Sequence, residues 1–245
     1  MYLKTEGIVL REVQYKDNDK LLTVLTKDFG KITVKAVGVK SGRSRLKAGC
    51  QLLAFSELTM IERQGRLTLT EINVRELFSE LLNDLELFSL ASYFAQVCDA
   101  VAQEEDLNAP MLSLLLNCLY ALAKLKKPQL MVKAVFELRL MCITGFLPDL
   151  GGCVVCGNVD ADRFNITQGM LQCHDCSTGG EIRLPMSRAT LEAMRYIAFC
   201  DARQLFSFQL TEGALLQLGG ITESYLSTRL ERGFSTLDFY KSLQI

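Results

Sequence analysis

The chain has 245 residues, of which 49% are hydrophobic and 22% charged, with a formal net charge of −1. That composition excludes intrinsic disorder and a chain that is basic throughout, and it leaves room for one large domain or for two to three small ones. The charge is unevenly spread: residues 1 to 80 hold 14 Lys and Arg against 10 Asp and Glu, whereas residues 81 to 245 hold 13 against 18, so a polyanion-binding end is joined to an acidic remainder.

The opening Met1-Tyr2-Leu3-Lys4-Thr5-Glu6 has no basic region followed by an apolar run, so no secretory signal is expected and the chain is assigned to the cytoplasm. From Gly7 to about Arg75 the pattern is that of strands, with β-branched runs and no proline. Ile8 and Leu10 alternate with Val9 and Arg11, Leu21 to Thr26 form a buried run, and Ile32, Val34 and Ala36 alternate with Lys31, Thr33 and Lys35. Asp28-Phe29-Gly30 marks a hairpin turn, and Gly38 interrupts the alternation where a bulge is expected. Two more runs, Leu52 to Ile61 and Leu67 to Val74, are joined by Arg63-Gln64-Gly65-Arg66. Five short strands in about seventy residues are accommodated most economically by a small closed antiparallel sheet, and the five-stranded OB-fold β-barrel leads.

After Val74 the period shifts toward 3.6. Leu77, Leu81, Leu85, Phe88, Ala91, Ala95, Cys98 and Ala102 predict one long helix that ends before Glu104-Glu105-Asp106. The apolar run Met111 to Leu125 is broken by Asn117 and followed by lysines, too short to span a bilayer. Residues 129 to 144 are apolar on nearly every side, which places that helix in the middle of a bundle, with Lys133 and Glu137 paired on its one polar strip. Ser187 caps a helix running through Cys200, and two more helical patterns cover 212 to 232 and 235 to 243.

Between these helices lie two CxxC pairs, Cys153-Val-Val-Cys156 and Cys173-His-Asp-Cys176, sixteen residues apart. Two such knuckles with a ribbon-length spacer supply four ligands for one tetrahedral Zn2+ ion. Four thiolates fill the coordination sphere and leave no position for water or substrate, so the ion is structural, and His174, the sole histidine, faces solvent. The other cysteines, Cys50, Cys98, Cys118, Cys142 and Cys200, lie mostly among apolar neighbours and read as small hydrophobes. The fold class is a multidomain α+β chain: residues 1–79 form the barrel, 80–150 and 185–245 an α-helical domain, and 151–184 a four-cysteine zinc ribbon inserted in it.

This order of parts resembles the bacterial RecO family of recombination mediators over essentially the full length. The resemblance is carried by Gly7-Ile8-Val9-Leu10-Arg11 through Tyr15, by Leu21 to Lys31, by Phe136 to Leu140 with Gly145 to Asp149 leading into Cys153 and Cys156, and by Tyr225-Leu226 with Arg232 to Phe239. It implies binding of single- and double-stranded DNA, annealing of complementary strands and loading of recombinase onto coated single strands. The implied partners are RecR and single-strand-binding protein, and indirectly RecA and RecF, in a nucleoid-associated setting.

The residues themselves point to DNA as well. Between Asp28 and Glu57 there is no acidic side chain, whereas Lys31, Lys35, Lys40, Arg43, Arg45 and Lys47 all fall there, with Ser41-Gly42-Arg43-Ser44 reading as a mobile loop. Five of these cations on phosphates would give a plot of log affinity against log salt a slope of about −3.5. Aromatic platforms are scarce: only Tyr2, Tyr15, Phe29 and Phe55 precede residue 78, tryptophan is absent, and Tyr15 and Phe29 read as core or turn residues. The reading is a grip on phosphates that leaves bases open to pair. No glycine-rich phosphate loop, paired carboxylates or open metal site supports an enzyme. The alternative is a protein-interaction adaptor whose DNA contact is incidental.

Overall fold

The computed structural model describes residues 1–104, 109–176 and 181–244; Glu105 and Asp106 of the acidic stretch lie outside them. The chain divides into two compact units, Met1–Lys124 with Phe234–Ile245, and Leu125–Gly233.

The first unit is built on five strands: β1 (Tyr2–Tyr15), β2 (Asp19–Thr26), β3 (Lys31–Ala36), β4 (Phe55–Arg63) and β5 (Arg66–Glu76). They close into a barrel in the order β1-β2-β3-β5-β4, the arrangement of an OB-fold. All pairings are antiparallel except the closing one, β3 with β5, which is parallel. Period-two alternation turns Val9, Leu22, Val24, Val34, Ala36, Leu58, Met60 and Leu69 inward to one buried cluster. The β4–β5 turn puts Gln64 and Gly65 at φ 52° and 71°, the left-handed pair of a tight two-residue hairpin. Register shifts fall in β1 between Val9 and Arg11 and in β4 beside Ser56 and Met60, and not at Gly38. There the chain has already left β3, because the Asp19 carboxylate takes the Gly38 N–H out of the ladder at 2.9 Å.

The long helix anticipated after the barrel is two helices, α1 (Ser79–Leu82) and α2 (Leu85–Val101). Asp84 divides them by accepting the Leu87 N–H at 3.0 Å, an N-cap that starts a new helix. Leu85 accordingly lies in the first turn and is exposed, although it shares the apolar period. Then come α3 (Ala109–Ala123) and, from the C-terminus, α7 (Ser235–Ser242). Phe234 packs edge-on to Tyr93 of α2 at 5.7 Å between ring centroids, and the Thr236 hydroxyl donates to Gln96 Oε1 at 2.6 Å. The closing motif at residues 234–236 thus fastens α7 onto α2.

The second unit holds α4 (Gln129–Ile143), β6 (Asp149–Cys153), β7 (Arg163–Asn165), β8 (Met170–Gln172), β9 (Arg183–Pro185), α5 (Arg188–Phe199) and α6 (Glu212–Leu230). The four strands make one sheet in the order β6-β8-β7-β9. α4 is buried on nearly all sides, as its sequence requires, but its polar strip is buried too: Lys133 and Glu137 are 3% and 0% exposed. The ammonium reaches Glu137 and Glu223 at 2.8 Å each, and the Thr222 hydroxyl donates to Glu137 at 2.8 Å. Burial alone would depress the Lys133 pKa, and the two carboxylates outweigh it and raise it. Two residues beyond Glu137 on α4, Arg139 donates to Ile197 O and Ala198 O, closing the last turn of α5. No helix among the described residues is long and apolar enough to cross a membrane.

Candidate nucleic-acid interface and metal centre

The β1–β2 hairpin runs past the end of the barrel, so that Arg11 to Tyr15 are all exposed while the pairing continues to Tyr15 opposite Asp19. Against its tip lies the segment after β3. Lys40 N–H donates to Asn18 O at 3.2 Å, and Ser41 and Ser44 close successive turns onto Gly38 O and Ser41 O at 3.2 and 3.0 Å. Leu46 then packs against the barrel core, and residues 48–50 form a 3-10 turn. The basic segment is therefore a chain of turns fastened at both ends.

The six anticipated cations separate into two groups. Lys31 turns toward α2, donating to Asp99 O at 2.7 Å with the Asp99 carboxylate at 3.6 Å. Lys35 is paired with Asp19 at 3.1 Å. The Gly38 amide first, and Lys35 next, hold the Asp19 carboxyl below the usual carboxylate range. Lys40, Arg43, Arg45 and Lys47 are exposed, and no carboxylate among the described residues pairs with them. Of the six, these four are available to an incoming anion.

Beside them stand Tyr15, which the sequence analysis read as a core or turn residue, and Lys16. Tyr15 is 39% exposed, with Lys35 Nζ at 5.3 Å and Lys16 Nζ at 5.7 Å from its ring centroid. Phe29, by contrast, is half-buried in its turn. The turn sequence Lys16-Asp17-Asn18-Asp19 places the hairpin tip at residues 16 to 18 and so carries β1 beyond Arg11.

The four cysteines come together at one end of the small sheet. Cys153 ends β6, Cys173 follows β8, and each begins a tight turn: Gly157 N–H donates to Cys153 O at 2.8 Å and Cys176 N–H to Cys173 O at 3.2 Å. Gly157 sits at φ 75°, the left-handed conformation the first knuckle needs. All four sulfurs lie within 4.8 Å of one another, with Cys156 and Cys173 Sγ at 3.6 Å. Four thiolates about 2.3 Å from one tetrahedral ion stand about 3.8 Å apart, so the donor set fits a metal ion. Burial opposes ionisation of Cys153, but the amides of Cys156, Val155 and Cys173 bring its pKa down to about 6. His174 is exposed, outside the cluster, with Nδ1 at 3.0 Å from Arg163 Nη2. Burial disfavours the thiolate at the remaining cysteines, pushing Cys50 up to about 12 and Cys142 up to about 11 and raising Cys98, Cys118 and Cys200.

The sheet is seated on α6 through Gly169, at φ 72°, in the turn between β7 and β8. A Cβ there would come within 2.6 Å of the Tyr225 hydroxyl and 2.7 Å of Arg229 Nη2. Tyr225 in turn donates to Phe146 O at 2.9 Å and meets Phe164 of β7 edge-on at 5.3 Å.

Comparison with known proteins covers nearly the whole chain. Residues 1–78 match the family model for the N terminal of recombination protein O, and residues 82–238 that for its C terminal. The DNA repair protein RecO of Acetivibrio thermocellus is 34% identical over 244 residues, covering 99% of this chain and 97% of the relative. Those of Caldicellulosiruptor bescii and Alkaliphilus metalliredigens are 31% and 28% identical, each over 99% of this chain and over 99% and 100% of their own lengths.

Proposed function

The chain belongs to the RecO family of DNA repair proteins, and on that premise we propose that it is a non-enzymatic recombination mediator. It binds single- and double-stranded DNA through the barrel, anneals complementary strands and helps load recombinase during recombinational repair. The observation that carries this reading is the group Lys40, Arg43, Arg45 and Lys47: four exposed cations with no carboxylate partner among the described residues, on a segment fastened to the hairpin tip. Lys35 borders this surface, and Lys31, held by Asp99, adds to its field.

Phosphate contacts carry affinity without reading sequence, and they leave the pairing edges of the bases free for a complementary strand. In this reading residues 1–79 engage DNA, and residues 80–150 and 185–245 form the helical body that meets RecR and single-strand-binding protein, and through them RecA and RecF. Residues 151–184 are its ribbon. Cys153, Cys156, Cys173 and Cys176 hold one structural Zn2+, whose role is to fasten the two knuckles. The protein works in the cytoplasm, at the nucleoid.

The test is strand annealing and filter binding with the full chain and with Lys40→Glu combined with Arg43→Glu. The double variant is expected to lose most annealing and at least about tenfold in DNA affinity. Equal activity in the two proteins would remove the assignment.

A further inference from the structure

Apolar side chains are not what a purely phosphate-gripping surface would leave in solvent, yet three stand around the hairpin tip. Val13 is 47% exposed, Tyr15 39% and Val37 49%. Val13 and Tyr15 share one face of β1, two residues apart. Val13 stands opposite Leu21, and Leu21 opposite Lys35, so the ring and the Lys35 ammonium rise from the same outer face of the sheet. Lys16, Lys35 and Tyr15 form one cluster. The Asp19 carboxylate is held by Lys35 and by the Gly38 amide.

We infer that Tyr15 is a stacking platform for one unpaired base, and that it makes this surface prefer single-stranded over double-stranded nucleic acid. This rests on the reading of the loop as a DNA surface and adds a residue and a selectivity to it. The two ammonium groups lie over the ring, at 5.3 and 5.7 Å from its centroid, and a base that takes their place on it can be any of the four, because every base has a π-face. Lys16 and Lys35, already gathered at the ring, keep a positive field beside the stacked nucleotide. Within a duplex the base faces are covered by their neighbours, so Tyr15 contributes only where a strand is unpaired. Stacking occupies a face and leaves the pairing edge open, which keeps the platform compatible with annealing. One platform also fits a chain without tryptophan, in which cations outnumber exposed rings along this surface.

The experiment uses the full chain, Tyr15→Ala and Tyr15→Trp, with an oligo(dT) strand and a duplex of equal length at several salt concentrations. Tyr15→Ala is expected to lose about tenfold in affinity for the single strand, with duplex affinity and salt slope unchanged. Tyr15→Trp supplies the chain's sole tryptophan, and its fluorescence is expected to be quenched by oligo(dT) but not by duplex. Single-strand affinity retained in Tyr15→Ala, or an equal loss on both substrates, overturns the platform. If the unaltered chain shows no salt-dependent binding at all, the loop assignment falls first and the platform falls with it.

Discussion

Replacing Gly169 by alanine measures how firmly the cysteine-bearing sheet is held against α6. The backbone there is left-handed, at φ 72°, which costs a residue with a Cβ about 1–2 kcal/mol. The new methyl would lie 2.6 Å from the Tyr225 hydroxyl and 2.7 Å from Arg229 Nη2, so the phenol must move. Its hydrogen bond to Phe146 O, now 2.9 Å, contributes about 1 kcal/mol, and the edge-on contact with Phe164 loosens with it. The expected destabilisation is about 2–3 kcal/mol in urea unfolding at fixed zinc concentration. Gly157→Ala is the control: its φ is 75° but open space surrounds the site, so only the backbone cost of about 1–2 kcal/mol applies. Equal midpoints for the two variants, or a change in Gly169→Ala below about 0.5 kcal/mol, would refute the reasoning.

Removing the metal should act on the same unit. Cys156→Ser is expected to reduce bound zinc from one ion per chain to nearly none by elemental analysis, and to lower the stability of the unit 125–233 while DNA affinity is kept. Because thiolates bind the metal, protons compete with it. Zinc is expected to leave as pH falls, and a zinc-indicator titration follows the release. Lys133→Met leaves Glu137 buried without its cation and is expected to cost about 3–5 kcal/mol in urea unfolding. Adding Glu137→Leu should recover much of it, since a buried pair replaced by apolar side chains is often neutral. No recovery would mean that the pair itself carries the stability.

The barrel was legible in the sequence because its strands alternate at period two between turn residues, and the cysteines because two CxxC pairs keep the spacing that a four-ligand site needs. What escaped did so for physical reasons. Leu77 to Ala102 keeps an unbroken apolar period, which records which faces are buried but not where hydrogen bonding restarts; Asp84, a single capping carboxylate, decides that. The burial of Lys133 was hidden because its second partner, Glu223, is 90 residues away in the chain. Likewise the six cations looked equivalent in sequence, and only the fold brings Asp99 to Lys31 and Asp19 to Lys35. Tyr15 was read as a turn or core residue because aromatic side chains usually are; its exposure follows from a hairpin that outruns the barrel.

The salt dependence of single-strand affinity tests the central claim most directly. Five phosphate contacts, the number the sequence suggested, give a slope of about −3.5, but the four of the six anticipated cations that have no carboxylate partner among the described residues give about −2.8, at about −0.7 per phosphate. The account predicts that second value for the full chain and a slope falling toward zero when Lys40, Arg43, Arg45 and Lys47 are all replaced by glutamine. A slope that survives the four replacements, or one near zero in the unaltered protein, would contradict it.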